Sequence, residues 1–174
     1  MKKENVLVIA VICIVVGGVW AYNNMKSTDL KAFDTATPGN ASGQIQRATT
    51  IDWQAYDQGM GLAEKQDKPI FLYFHADWCT YCRKLKQTTF LDTAVLNYLK
   101  DNFISIMVDS DKNKELSTQW RVKGLPTLWF LRSDASKISS IPGYVNETQL
   151  LQVLKYIHTK NYDKMTLNEF VKTL

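Results

Sequence analysis

Residues 70 to 88 change period part-way along, and that change constrains the fold more than any other feature of the chain. Ile70-Phe-Leu-Tyr-Phe-His75 is an apolar and aromatic run, long enough for a buried strand and too short for a helix of its own. Beyond it, Cys79-Thr80-Tyr81-Cys82 opens a stretch to Thr88 that is helical in pattern. A strand turning directly into a helix puts both sulfurs at the end of a sheet. The helix N-terminus offers unpaired N–H groups and a positive dipole end, which favour a thiolate on Cys79. Cys82 falls one turn deeper on the same face, within disulfide reach, and is expected to be the more buried and less easily ionised sulfur. That arrangement suits attack by Cys79 and resolution by Cys82. An inert structural disulfide or two buried thiols would show the same spacing. Zinc asks for four ligands, and His75 and His158 are not spaced as the missing pair; two thiolates alone are soft enough for copper(I). The pattern calls for no cofactor and no metal.

Around this unit the periodicity alternates. Asp52 ahead of Trp53, Tyr56, Met60 and Ala63 predicts a capped helix ending at Lys68-Pro69, although Gly59 and Gly61 lower its propensity. Further helices are expected from Asp92 through Leu99 and over 113–120, with strands over 103–108, 127–131 and 138–141 and a turn at Ser133-Asp-Ala-Ser136. Asn146 and Gln149 form a cap pair ahead of Leu150, Leu151, Val153, Leu154 and Ile157, and Thr166-Leu-Asn-Glu169 is a second capping box. Trp53, Trp120, Trp129 and Phe130 read as core or core-edge residues, and His158 as a helix C-terminal cation. The element order gives an α/β fold, a central mixed β-sheet flanked by helices on both faces.

At 174 residues the chain has room for one domain with appendages. Hydrophobic residues at 45% and charged residues at 22% exclude a wholly disordered chain and a polytopic membrane protein. The net charge is +4, and no basic cluster interleaves with aromatics, so nucleic acid is not expected as a partner. Val6 to Val16 is an unbroken apolar run inside a stretch without charge from Asn5 through Met25, preceded by Lys2 and Lys3. Residues 1–22 are therefore expected to be an N-terminal hydrophobic helix that exports the chain. It is read as a retained membrane anchor, since the uncharged stretch rises about 31 Å as a helix; the alternative is a signal peptide cleaved after Ala21. Cys13 within it reads as a small apolar residue. Residues 23–50, with Thr35-Ala-Thr-Pro-Gly-Asn-Ala-Ser-Gly43, predict a flexible linker. The globular domain is expected over 51–158, with a helical extension over 159–174.

Lys68-Pro-Ile-Phe-Leu-Tyr-Phe-His-Ala-Asp-Trp-Cys-Thr-Tyr-Cys82, Thr89-Phe90 and Gly124-Leu-Pro-Thr127 leading into a strand resemble the thioredoxin superfamily. The closer likeness is to the C-terminal domain of the thiol:disulfide interchange protein DsbD and to small exported thioredoxin-like proteins. The resemblance implies a thioredoxin-like fold and a cis Pro126 beside the sulfurs, with the backbone of Leu125 open to strand-like pairing with a substrate. Trp78 is expected either to pack under the motif or to join the substrate-facing surface. The chain also departs from the family. Thioredoxins carry a buried acid six residues before the first cysteine, where this chain has Tyr73, and the DsbD domain has an acid where this chain has Lys86. His75, on the same strand face as Tyr73, is the substitute candidate for proton transfer; Tyr73 is the poorer one. Arg83, Lys84 and Lys86 would add positive potential if they face Cys79.

These readings together predict a thiol-disulfide oxidoreductase that reduces disulfides in exported proteins and contributes to cell redox homeostasis. Its partners would be protein disulfide or dithiol substrates, a thiol electron donor and, through the N-terminal segment, the membrane. The reductive direction rests on Thr80 and Tyr81, which supply neither the proline nor the histidine of strongly oxidising motifs. Its place would be the cell envelope, anchored in the inner membrane with the domain in the periplasm, or secreted into the periplasm after cleavage. The alternatives are a disulfide oxidase or isomerase, a copper-binding module and a non-catalytic binding domain.

Overall fold

The computed structural model describes residues 49–174. The anchor expected at 1–22 lies outside the described residues, as does the linker expected at 23–50 apart from its last two positions. Among the described residues, no helix is long and apolar enough to cross a membrane.

The first strand, β1, is Trp53–Gln54, where the sequence predicts a helix opening behind Asp52. Packing overrides the cap signal. The Trp53 ring lies 6.0, 5.6 and 5.6 Å from those of Phe71, Tyr73 and Phe90, and its backbone pairs in parallel with Ser105, contacts that a helical turn would withdraw. Helix α1 then runs Tyr56–Gln66 behind Ala55, which supplies no side-chain cap, and it stops at Asp67 in the left-handed conformation, φ 49°. Gly59 is there because α1 lies close on the sheet: a Cβ would run into the Ile106 side chain. Gly61 faces open space.

Strand β2, Ile70–His75, is buried along its whole length. It pairs in parallel with β3, Ile104–Asp109, and antiparallel with β4, Thr127–Leu131, which pairs antiparallel with β5, Lys137–Pro142. The five-stranded sheet has the order β1-β3-β2-β4-β5. Alternate residues of β2 enter opposite cores. Phe71 and Tyr73 meet Cys82 and Leu85 of α2 (Thr80–Gln87), Val95 and Leu99 of α3 (Thr93–Asn102), and Leu150 and Leu154 of α5 (Glu147–His158). Ile70, Leu72 and Phe74 meet Ala63 of α1 and Trp120 at the end of α4 (Lys114–Gln119). The helices thus cover both faces of a mixed sheet, as the element order predicts.

The polar start signals hold wherever a side-chain cap is present. Asp92 accepts from the N–H groups of Ala94 and Val95, and both capping boxes form, Asn146 with Gln149 and Thr166 with Glu169. The latter opens α6, Leu167–Val171, which buries Phe170, while the Tyr156 hydroxyl donates to the Met165 carbonyl at 2.6 Å. On the outer strand β5, the Lys137 ammonium lies 4.4 and 4.9 Å from the ring centres of Trp120 and Trp129.

The two α1 glycines separate propensity from packing. Gly61→Ala is expected to raise stability by about 0.5–1 kcal/mol, the helix-propensity gain at an open site. Gly59→Ala is expected to lower it by about 1 kcal/mol, because overpacking against Ile106 outweighs that gain. Urea unfolding of the two variants, read by circular dichroism, checks both signs.

Candidate active site

The loop after β2 delivers Cys79 to the N-cap of α2, one position outside the helix it was read as opening. Cys79 and Cys82 are joined by a disulfide, with Cα atoms 5.2 Å apart. The Cys79 sulfur accepts the Cys82 N–H at 3.1 Å, so one of the orphan donors of the first turn points at the N-terminal sulfur. The expected contrast in exposure is small: the side chains are 4% and 1% exposed, so both sulfurs are enclosed in this oxidised state. Among the described residues, no group of three or more His, Cys, Asp and Glu side chains could hold a metal ion. His158, at the end of α5, is instead 3.1 Å from the Tyr98 hydroxyl through Nδ1.

Two aromatics flank the disulfide on the outside. Trp78 is 66% exposed and Tyr81 59%, so Trp78 does not pack under the motif. Its indole N–H donates to Asp111 at 2.9 Å, across from the loop after β3. Asp111 was missed in the sequence, because nothing there signals a partner 33 positions away. The Leu125–Pro126 peptide bond is cis, and Leu125 packs against the core cluster that holds Cys79 and Cys82. Pro126 is buried and Leu125 half-buried, and the Pro126 carbonyl accepts from the Gly143 N–H at 2.7 Å, tying this loop to the chain beyond β5. Tyr144, next along, meets the Thr88 hydroxyl at 3.3 Å and carries the Lys84 ammonium 4.3 Å above its ring.

Beneath α2, Tyr73 and His75 form a connected set with Cys82 and Lys86. The Tyr73 hydroxyl donates to the Cys82 carbonyl at 3.5 Å, and burial pushes this phenol well above its ordinary value. A proton held that firmly makes Tyr73 a donor rather than a base. The His75 ring stacks on Tyr73 at 5.4 Å, and its Nδ1 is 3.5 Å from the Lys86 ammonium. Burial, then Lys86, pulls His75 below its free value, against the opposing pull of Asp109 and Asp77. Lys112 at 3.1 Å in turn holds the Asp109 carboxyl below its usual range. Of the three cations after the motif, only Lys86 turns under the helix. Arg83 bonds the Asp77 carbonyl at 2.8 Å and the Thr80 hydroxyl at 3.3 Å, and Lys84 leans on Tyr144.

A sheet of this order, with a disulfide at the N-terminus of the helix leaving its central strand and a cis proline just ahead of β4, defines a thioredoxin-fold domain with a dithiol site. The family described as Thioredoxin-like domain matches residues 56–158, and the chain belongs to it. Among curated relatives, it is 31% identical over 111 residues to the thiol:disulfide interchange protein DsbD of Photorhabdus laumondii, covering 61% of this chain and 19% of that protein. The DsbD of Vibrio vulnificus is 32% identical over 106 residues, 58% of this chain and 18% of its own length. The chain thus spans about a fifth of the relatives it matches. Among solved structures, a thioredoxin from Thermus thermophilus superposes with a TM-score of 0.59 at 26% identity, covering 64% of this chain and 89% of that one. The oxidised C-terminal domain of Neisseria meningitidis DsbD gives 0.51 at 25% identity, covering 58% of this chain and 91% of that domain.

His75 also leaves a mark on stability. The fold holds it below its free value, so below about pH 6.5 the unfolded chain binds the proton first, and stability declines from there until the folded-state pKa is passed. The expected outcome is a urea midpoint that falls between pH 7 and pH 5. His75→Gln should show a flatter dependence over that range.

Proposed function

We propose that this domain is a thiol-disulfide oxidoreductase that reduces disulfides in exported proteins. The observation that carries the reading is the Cys79 sulfur at the α2 N-cap, accepting the Cys82 N–H while bonded to Cys82. In the reduced protein that N–H and the helix dipole favour the Cys79 thiolate. The thiolate attacks one sulfur of a substrate disulfide, forming a mixed disulfide and releasing the other substrate sulfur as a thiolate that takes up a proton. Cys82 then loses its proton and attacks the Cys79 sulfur, closing the internal disulfide and releasing the second substrate thiolate, which is protonated in turn. Two electrons pass from the dithiol to the substrate, and a thiol donor returns the domain to the reduced state by the reverse steps. Trp78, beside Cys79 in the chain, and the Leu125–Pro126 backbone are the surface on which the substrate chain lies, in the strand-addition mode; the exposure of Trp78 and the cis bond support that reading. Thr80 and Tyr81 support the reductive direction. The charge-free stretch from Asn5 through Met25 supports export and tethering in the inner membrane, with the domain in the periplasm.

The expected outcome of Cys82→Ser is attack without resolution: covalent complexes with protein partners accumulate and are released by reductant. Cys79→Ser should form none. Diagonal gels of the two full-length variants, run with and without reductant, check the pair. Trapping by Cys79→Ser alone would reverse the order of attack.

A further inference from the structure

We infer that Lys86, seated on His75, is a positioning residue that supplies a fixed positive charge beneath the dithiol, making Cys79 more acidic and the domain a milder reductant than the same dithiol without it. The inference rests on the dithiol reading above and adds the group that tunes it.

The geometry is a closed circuit of side chains. Lys86 stands four residues after Cys82 on α2, a spacing that sets their Cβ atoms about 5–6 Å apart on one helix face. Its ammonium turns inward to His75 Nδ1 at 3.5 Å, the His75 ring stacks on Tyr73, and the Tyr73 hydroxyl returns to the Cys82 carbonyl at 3.5 Å. An ammonium has donors and no acceptor, so in this contact Nδ1 accepts and the imidazole is neutral, with its proton on Nε2. A ring that is neutral, with its one lone pair already taken, is a seat for a cation rather than a base for Cys82. His75 is only 6% exposed, so the imidazole side of this contact is shielded from bulk water, while the Lys86 side chain reaches it from the exposed face of α2.

The other charges around the ring do not cancel the ammonium at the sulfurs. Asp109, the register partner of His75 on β3, is neutralised by Lys112 at 3.1 Å. The Asp77 carboxylate acts on His75 from the loop before the motif and is shared with Lys112, which it also favours in its charged form. Lys84 leaves the site for the Tyr144 ring. Lys86 is thus the cation of α2 in contact with His75, and its pull on the ring exceeds that of either carboxylate. A positive charge favours the thiolate over the thiol, and stabilising the thiolate stabilises the reduced form relative to the disulfide.

The experiment uses the full chain, reduced, with Lys86→Met, Lys86→Arg, His75→Phe and, as the charge-matched control, Lys84→Met. Two readings are taken: the pH profile of Cys79 alkylation by iodoacetamide, and the equilibrium of the domain with glutathione. Lys86→Met is expected to move the alkylation midpoint up by about half to one pH unit. It should shift the glutathione equilibrium toward the oxidised domain by about threefold to tenfold, tenfold being about 30 mV. His75→Phe should move both the same way by a smaller amount, and Lys86→Arg should restore wild-type values. Lys84→Met, which removes the same net charge from the same helix, should leave both nearly unchanged. Unchanged profiles in Lys86→Met, or equal shifts in Lys86→Met and Lys84→Met, overturn the inference. Lys86 is an exposed residue, so its variants decide the matter even if the buried His75→Phe does not fold. A wild-type Cys79 that fails to alkylate would instead sink the dithiol reading itself.

Discussion

The rest of the structure hangs on the burial of β2 between two cores. Six consecutive buried residues force the strand into the middle of the sheet, because an edge position or a one-sided sheet would leave half of them in water. With Phe71 and Tyr73 committed to one face and Ile70, Leu72 and Phe74 to the other, the register cannot slip by one residue without exchanging the two sets. The end of β2 is thereby fixed, and the loop that leaves it has only Ala76 to Trp78 in which to reach the α2 N-cap. The redox pair is placed by the same apolar contacts that hold the domain together.

That division of labour accounts for what was legible in the chain. β2, the α2 start, the strand at Thr127–Leu131 and both capping boxes could be read because each rests on local chemistry: an apolar run, a cap side chain and its partner three residues on. The helix expected behind Asp52 is present as α1 but starts at Tyr56 rather than at Asp52, for the opposite reason. A good cap at Asp52 was overruled by Trp53 finding three aromatic rings that come from β2 and the turn at Thr89–Leu91, and no local pattern announces that.

The site divides in the same way. Cys79 and Cys82 stand in a motif whose spacing carries their geometry, and the cis bond at Pro126 is what the family resemblance implies. The circuit beneath α2 was half visible: Tyr73 and His75 share a strand face by alternation, whereas the inward turn of Lys86 and the approach of Asp109 depend on helix orientation and parallel register. Asp111 was invisible for the same cause. The three basic residues after the motif look alike in the sequence, yet their neighbours send Arg83 to the Asp77 carbonyl, Lys84 to Tyr144 and Lys86 to His75.

The outer strand has a consequence for how such chains behave when crowded. A sheet of this order presents two edges, and β1, two residues long, offers a neighbour almost nothing to pair with. β5 is six residues long and largely exposed, the kind of edge on which another chain's strand can grow. It is guarded three times over: a register irregularity where it meets Phe130 and Leu131, Pro142 at its far end, and Lys137 held over two tryptophan rings at its start. A strand added alongside would have to pair with a bent ladder, do without the N–H that Pro142 lacks and bring its backbone up against a pinned charge. Crowded proteins meet one another often, and these three features allow such encounters to end without aggregation.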